Sequence, residues 1–333
     1  MVQKNRPQGE CMIITTAIVQ SALELGFIYA LVALALFISF SLLNIADLST
    51  DGCFTLGCAV CASITLMGHP ILALFAAMLA GCVSGFVTAF LQTKAGVPSI
   101  LAGIIVNTGL YTINIMVMGF SSNLNLFNCE SVFTWGKAAI PTTWYKLIIV
   151  AVIVIAVSVI IAKFLNTRLG LSIRATGDNP DMVKASSINT GFMITVGLCV
   201  SNSLTGLSGA LLAQYQKSCD INLGTGMVTI ALASLVIGES IFKKGGMFYR
   251  IVGVIFGSCL YRFIVAVALR FNVPAEALKL VSAIIVAIAI ALPYIKEQLS
   301  IANNKRAQRV ENERYINELK TIGALTSGGS KNE

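Results

Sequence analysis

Long runs of apolar residues separated by short polar breaks dominate the chain, and run length sets the first expectation. A helix needs about 20 residues to cross about 30 Å of hydrocarbon. Nine runs reach or approach that length: 13–42, 53–67, 71–91, 98–119, 145–165, 188–214, 226–242, 250–270 and 276–295. The second and seventh are short, rich in glycine and other small residues, and preceded by polar segments. The pattern predicts an all-α, polytopic membrane protein with about nine spanning helices, in a range of about eight to ten. Lys4 and Arg6 precede the first run as they would in a secretion signal. That run is too long, however, and lacks a small-x-small cleavage site, so it reads as a retained helix.

Residues 13–119 match residues 188–295 in pattern at an offset of roughly 175 to 178: long span, polar break, short span and two further spans recur in order. The breaks run from Asn44 to Gly52 and from Asp220 to Gly226. With 145–165 as a connector the separation is odd, so the second repeat is expected upside down relative to the first. Such an inverted repeat, with broken or short second helices, places a substrate pathway at the repeat interface near mid-membrane. Gly81-x-x-x-Gly85 and Gly253-x-x-x-Gly257 fall in corresponding spans and read as close helix contacts. The expected organisation is an N-terminal tail (1–12), a first repeat (13–119), an extracellular loop (120–144), the connector (145–165), a cytoplasmic coupling loop (166–187), a second repeat (188–295) and a cytoplasmic tail (296–333).

Composition agrees with the pattern. Hydrophobic residues make up 56% of the chain and charged residues 11%, with a mean hydropathy of +0.83. A soluble domain carries about 25% charged residues, so soluble, disordered and collagen-like classes are excluded. The net charge of +8 would suit a nucleic-acid binder if it formed a stripe. Instead the basic residues lie between apolar runs and in the tail, where seven Lys and Arg outnumber five Glu. This is the positive-inside pattern, which makes Lys163–Lys184, Lys243–Arg250 and the tail cytoplasmic and points to no nucleic-acid partner. The loop 120–144, with only Glu130 and Lys137, is expected outside. Nine crossings with the C-terminus inside put the N-terminus outside. Lys4 and Arg6 oppose that placement unless one short segment is re-entrant. In the tail, Val310, Ile316, Leu319 and Ile322 suggest a short helix before a Ser-Gly-Gly-Ser run.

Cys53, Cys58, Cys61, Cys82, Cys199 and Cys259 lie within apolar stretches and read as small packing residues. The lone histidine, His69, has no partner at ligand spacing, so no metal site is expected. Cys129 and Cys219 fall on the outer side, which leaves a bridge between them open. No phosphate loop is present: Gly323 to Ser330 lacks the required lysine. One histidine also gives no Ser/His or His/Asp constellation, so neither catalysis nor a cofactor is expected.

Two sets of polar residues are candidates for function. On the basic side, Asn179 is a good N-cap, Pro180 fits the first helical position and Asp181 complements the dipole. Gly177 and Asp178 read as the turn before it. A short capped helix is a rigid handle for a separate motor subunit, with Arg174 and Lys184 on its flanks; a solvated loop is the alternative. Within the membrane, Asp47, Ser49 and Asp51 in the first break, Asn107, Asn202 and Glu239 are pathway candidates, because polar groups are costly there. Capping of helix ends, or interhelical hydrogen bonding for Asn107, Asn114 and Asn202, is the structural alternative. Glu24 and Arg262 also fall within spans. An ion-coupled carrier would need a mid-membrane charged cluster, and Asp47, Asp51 and Glu239 lie at segment ends.

Ala175-Thr-Gly-Asp-Asn-Pro180, then Ala185, Ile188-Asn189, Ser201-Asn202, Leu207-Ser-Gly-Ala-Leu211, Gln214-Tyr215, Gly224, Gly226, Leu232-Ala-Ser234 and Ile237-Gly-Glu239, resemble the permease subunit of bacterial ABC importers. The broad family serves branched-chain amino acids, ribose and related sugars, and the nearest branch is the tryptophan/tyrosine-type transport permeases. Ile45-Ala-Asp-Leu-Ser49 with Gly52 resembles the first-half motif, so the likeness covers residues from about 20 to 295. It departs at Ser186-Ser187, where the family tends to have a larger apolar residue and Gly. The resemblance implies two cytoplasmic ATPase subunits, an extracytoplasmic binding protein, a second permease copy in a lipid membrane, and alternating access driven by ATP. It also implies an amino-acid cargo, aromatic favoured, with a ribose-like sugar or nucleoside as the alternative.

Overall fold

A computed structural model describes residues 16–139, 142–242 and 245–270, with isolated helical positions between 280 and 312. By contacts the chain divides into two compact units, 1–286 and 287–333; the described positions of the second are helical and exposed. The stretch 276–295 and the tail residues Val310, Ile316, Leu319 and Ile322 fall mostly or wholly outside the described residues.

The elements of the first unit are α1 (Thr16–Leu36), a π-helical turn (Phe37–Leu42), α2 (Thr50–Leu66), α3 (Pro70–Thr93), α4 (Ser99–Val117), β1 (Asn123–Asn125), α5 (Val132–Ala139), α6 (Tyr145–Leu165), α7 (Arg168–Asp178), α8 (Pro180–Ala185), α9 (Thr190–Gln216), β2 (Ser218–Asp220), α10 (Met227–Ile241) and α11 (Met247–Arg270). Among the described residues six helices are long and apolar enough to cross a membrane, and α2 and α10 are shorter apolar helices. Each apolar run up to residue 270 forms a helix within a few residues of its expected bounds. The pattern missed three elements. Residues 168–178 are helical, so Gly177 and Asp178 end α7 and do not form a turn. The other two are α5 and the β1–β2 pair, too short to leave a periodic signal.

α1 and α9 are the inner helices, each buried over most of its length; α3 packs on α9, α6 and α11 pack on α1, and α4 packs on α2 and α3. The outer helices turn large apolar side chains outward, including Leu72, Phe75, Leu79 and Val83 of α3. Lipid satisfies such a surface and water would not. Inside, packing relies on small residues that let backbones approach. A side chain on Gly57 of α2 would strike the Gly206 backbone of α9, and one on Gly81 would strike Asn202. Gly253 and Gly257 make the same kind of contact, but with α10. Cysteines fill the same role, as expected: Cys53 and Cys58 donate to the carbonyls of Asn202 (3.3 Å) and Gly209 (3.1 Å). Cys129 and Cys219 are both free thiols.

Contacts order the helices between two faces. α1 runs antiparallel to α9, with Ser208 and Ser201 donating to the carbonyls of Ile28 and Ala35 at 2.7 Å each. Gln20, near the start of α1, donates to the Thr143 carbonyl (2.9 Å), so α1 begins on the face of residues 118–144. It ends against α7 on the opposite face. Lys4 and Arg6 lie outside the described residues.

Candidate functional site

Three polar assemblies join these helices. The first occupies the break between α1 and α2. Six π-helical residues and Asn44 at φ +56° end α1, and the chain then runs without regular structure until α2 begins at Thr50. Asn44 tolerates the left-handed region better than most residues. The extended segment carries Asp47 to the middle of α9. Asp47 is buried there, accepting from the Ser49 amide (2.9 Å), the Ser49 hydroxyl (2.6 Å) and Asn202 Nδ2 (2.8 Å). Thr88 of α3 donates to Ser49 Oγ (3.3 Å). Three pathway candidates thus meet in one network, with Thr88 as a partner the sequence did not reveal.

Asp51 faces the other break. Its carboxylate accepts from the amides of Gly226 (3.0 Å) and Val228 (2.9 Å), capping α10 at its dipole-positive end. The Gly224 amide donates to Thr55 (3.1 Å). α2 and α10 therefore start beside each other at the centre of the fold and run to opposite faces. Asn107 of α4 sits against Gly52, where a Cβ would come within 2.6 Å of its Oδ1, and Asn114 donates to the Gly52 carbonyl (3.1 Å).

The second assembly lies on the face of residues 166–187. Asn179 caps α8, its Oδ1 accepting from the amides of Asp181 and Met182 at 3.1 Å each, and Pro180 holds the first helical position. Asp181 and Lys184 form an exposed ion pair at 3.3 Å. Arg174 is half-buried on α7, and Asp178 is exposed at its end. Val183 of α8 is buried, while Ile173 of α7 packs in a cluster with Leu43, Ile45, Ala89, Met193 and Leu198. A side chain on Gly177 would strike the Leu42 carbonyl, so glycine is what lets α7 meet the end of the α1 π-turn. One residue earlier, Ser41 donates to Glu239 (2.7 Å). Arg250 donates to Ser41 (2.9 Å), pairs with Glu239 and stacks on Phe37 at 4.9 Å. Glu239 is thus tied to the ends of α1 and α11, away from the Asp47 network. Arg250 gave only a loop charge in the sequence, and its pairing is tertiary.

The third assembly is near the opposite face. Glu24 is buried, accepting from Gln20 Nε2 (2.8 Å) and the Tyr215 hydroxyl (2.7 Å). Arg262 stacks on Tyr29 at 4.0 Å.

A bundle of apolar spanning helices with two interrupted segments meeting at its centre, and a capped helix on one face, defines a membrane transport permease in class. The chain belongs to the family described as branched-chain amino acid transport system / permease component, whose model matches residues 18–291. It is 31% identical over 297 residues to a tyrosine transport system permease protein of Clostridioides difficile strain R20291, covering 89% of this chain and 98% of that one. To the ribose import permease protein of Escherichia coli strain K12 it is 27% identical over 227 residues, 66% of this chain and 67% of that one. To the D-allose transport system permease protein of the same strain it is 28% identical over 214 residues, 62% and 63% of the two chains. No solved structure matches the chain. The protein is therefore an ABC-type permease, a multi-pass component of the cytoplasmic membrane and not itself an enzyme. Membership implies partner ATPase and binding-protein subunits.

Proposed function

We propose that this chain forms the translocation pathway of an ABC importer for a small polar solute, an amino acid with an aromatic one favoured, and that partner ATPases drive alternating access through α8. The observation that carries this is the packing of α7, which α8 adjoins, onto the interrupted helix. Gly177 abuts Leu42, and Ile173 packs with Leu43 and Ile45, two residues from Asp47. Arg174, Gly177, Asp178, Asn179, Pro180, Asp181 and Lys184 make up the coupling surface. A push on α8 moves α7 against the end of α1. It shifts the segment bearing Asp47 and Ser49 relative to Asn202, and strains the Ser41–Glu239–Arg250 contact that holds the cytoplasmic ends together. Asp47, Ser49, Asp51, Asn107 and Asn202 border the pathway, and Glu239 closes its cytoplasmic end.

The organisation we propose is two inverted repeats, 13–119 and 188–295, with nine crossings, a cytoplasmic loop 166–187 and an outer loop 120–144. Two features support it. The breaks touch through Asp51 and Gly226, which are 175 positions apart, within the sequence offset. The contact of Gly26 with Cys259 also has a counterpart in that of Asn202 with Gly81. The working unit is a homodimer of the chain in lipid with two ATPases and a binding protein.

Similarity to the tyrosine permease supports the amino-acid cargo; similarity to the ribose and allose permeases keeps a ribose-like sugar or nucleoside as the second reading. Reconstituting the chain in liposomes with its ATPase and binding protein tests both. ATP-dependent uptake of labelled tyrosine is expected. Uptake of ribose instead would reassign the cargo, and uptake by the lone chain on an ion gradient would overturn the mechanism.

A further inference from the structure

Away from the pathway, a cavity of about 350 Å³ opens on the face of residues 118–144, between α5, the start of α6 and the end of α9. Lys137, Lys146 and Lys217 line it with Phe127, Phe133 and Tyr215, and no acidic residue takes part. Lys146 lies 4.7 Å from the Tyr215 ring centroid, and Phe133 meets that ring edge-on at 5.9 Å. Among the described residues none of these lysines has a carboxylate partner, although Lys146 and Lys217 are half-buried. Three lysines without a carboxylate partner around one aromatic-walled cavity give it a positive potential that favours an anion.

The surroundings place the cavity at headgroup depth. Trp135 and Trp144 flank it, half-exposed, as aromatic residues do at a membrane interface. Along α6 from Tyr145, which also lines the cavity, Ile148, Val152, Ile155 and Val159 form an exposed apolar stripe at helical spacing. A ligand with an anionic head and a long apolar tail matches both parts; a soluble anion would use only the lysines.

We propose that this cavity binds the phosphate of an anionic phospholipid, one acyl chain of which lies along the α6 stripe. The site requires only a membrane around the chain. Its test involves neither cargo nor ATP, so failure here leaves the transport mechanism standing. Tyr215 also hydrogen-bonds Glu24, so a filled site would steady the contact between α9 and α1.

Native mass spectrometry of the full chain in detergent, titrated with phosphatidylglycerol or phosphatidylcholine, provides the test. One tightly held phosphatidylglycerol per chain is expected. Each of Lys137→Gln, Lys146→Gln and Lys217→Gln should weaken its preference over phosphatidylcholine by about fivefold, and Lys146→Arg should keep it. A variant carrying all three glutamine substitutions should lose the preference altogether; should it fail to fold, the single variants decide. Equal retention of the two lipids by the unmodified chain, or undiminished preference in the glutamine variants, would overturn the proposal. So would displacement of the lipid by millimolar inorganic phosphate, which would mark a site for soluble anions.

Discussion

Asp47 accepts three hydrogen bonds in a buried position, and its partners come from α9 and from the start of α2. Deleting one member of a buried network leaves the others unsatisfied, at a cost of about 1–3 kcal/mol. A double-mutant cycle with Asp47→Ala and Asn202→Ala, read by unfolding in detergent, should return a coupling of about 1 kcal/mol or more; additive effects would mean that the contact carries no energy. Ser187 is strained in a different way. It holds φ at +60° after α8, a conformation that costs a residue with a Cβ about 1–2 kcal/mol. Ser187→Gly should raise the thermal midpoint, and an unchanged or lower midpoint would place the strain elsewhere. The Asn179 cap was legible in the sequence because capping is local, involving amides two and three residues away. Asp51 caps an amide 175 positions away and Arg250 meets Ser41 of another helix; neither pairing has a sequence signal. The same limit hid Thr88.

At the scale of elements, burial in lipid makes run length a reliable guide, and it located each described apolar helix. It failed at α7, where Gly177 suggested a turn. Glycine is a poor helix former, but here its lack of a side chain serves packing on Leu42. Small residues elsewhere have the same purpose. Gly206→Val should lower the unfolding midpoint sharply, because a Cβ there meets the Ala77 carbonyl at 2.5 Å and overpacking costs about 1–3 kcal/mol. Gly109→Ala, with nothing within 4 Å of the new carbon, is the control and should be neutral or stabilising. If both variants unfold alike, close helix approach is not what holds α2, α3 and α9 together.

For the whole molecule, the scarcity of charge is informative about mechanism. Among the described residues within the membrane region Asp47 is held by hydrogen bonds in the break before α2, Asp51 caps α10, Glu239 is paired with Arg250 and Glu24 accepts from Gln20 and Tyr215. None is left over for binding a coupling ion, which agrees with energy arriving from a partner. Reversing charge at Asp178, Asp181 and Lys184 together should abolish ATPase capture in a pull-down while the permease stays folded. Normal capture would remove α8 from the interface.

The most direct test of the account is a Gly177→Val variant in the reconstituted complex, with ATP hydrolysis and solute uptake measured together. The ATPase should still bind and hydrolyse ATP while uptake falls by about tenfold or more, the scale of a typical coupling free energy. Wild-type uptake from a folded, assembled Gly177→Val complex would contradict it, because force would then reach the pathway by a route that does not pass through α7 and Leu42.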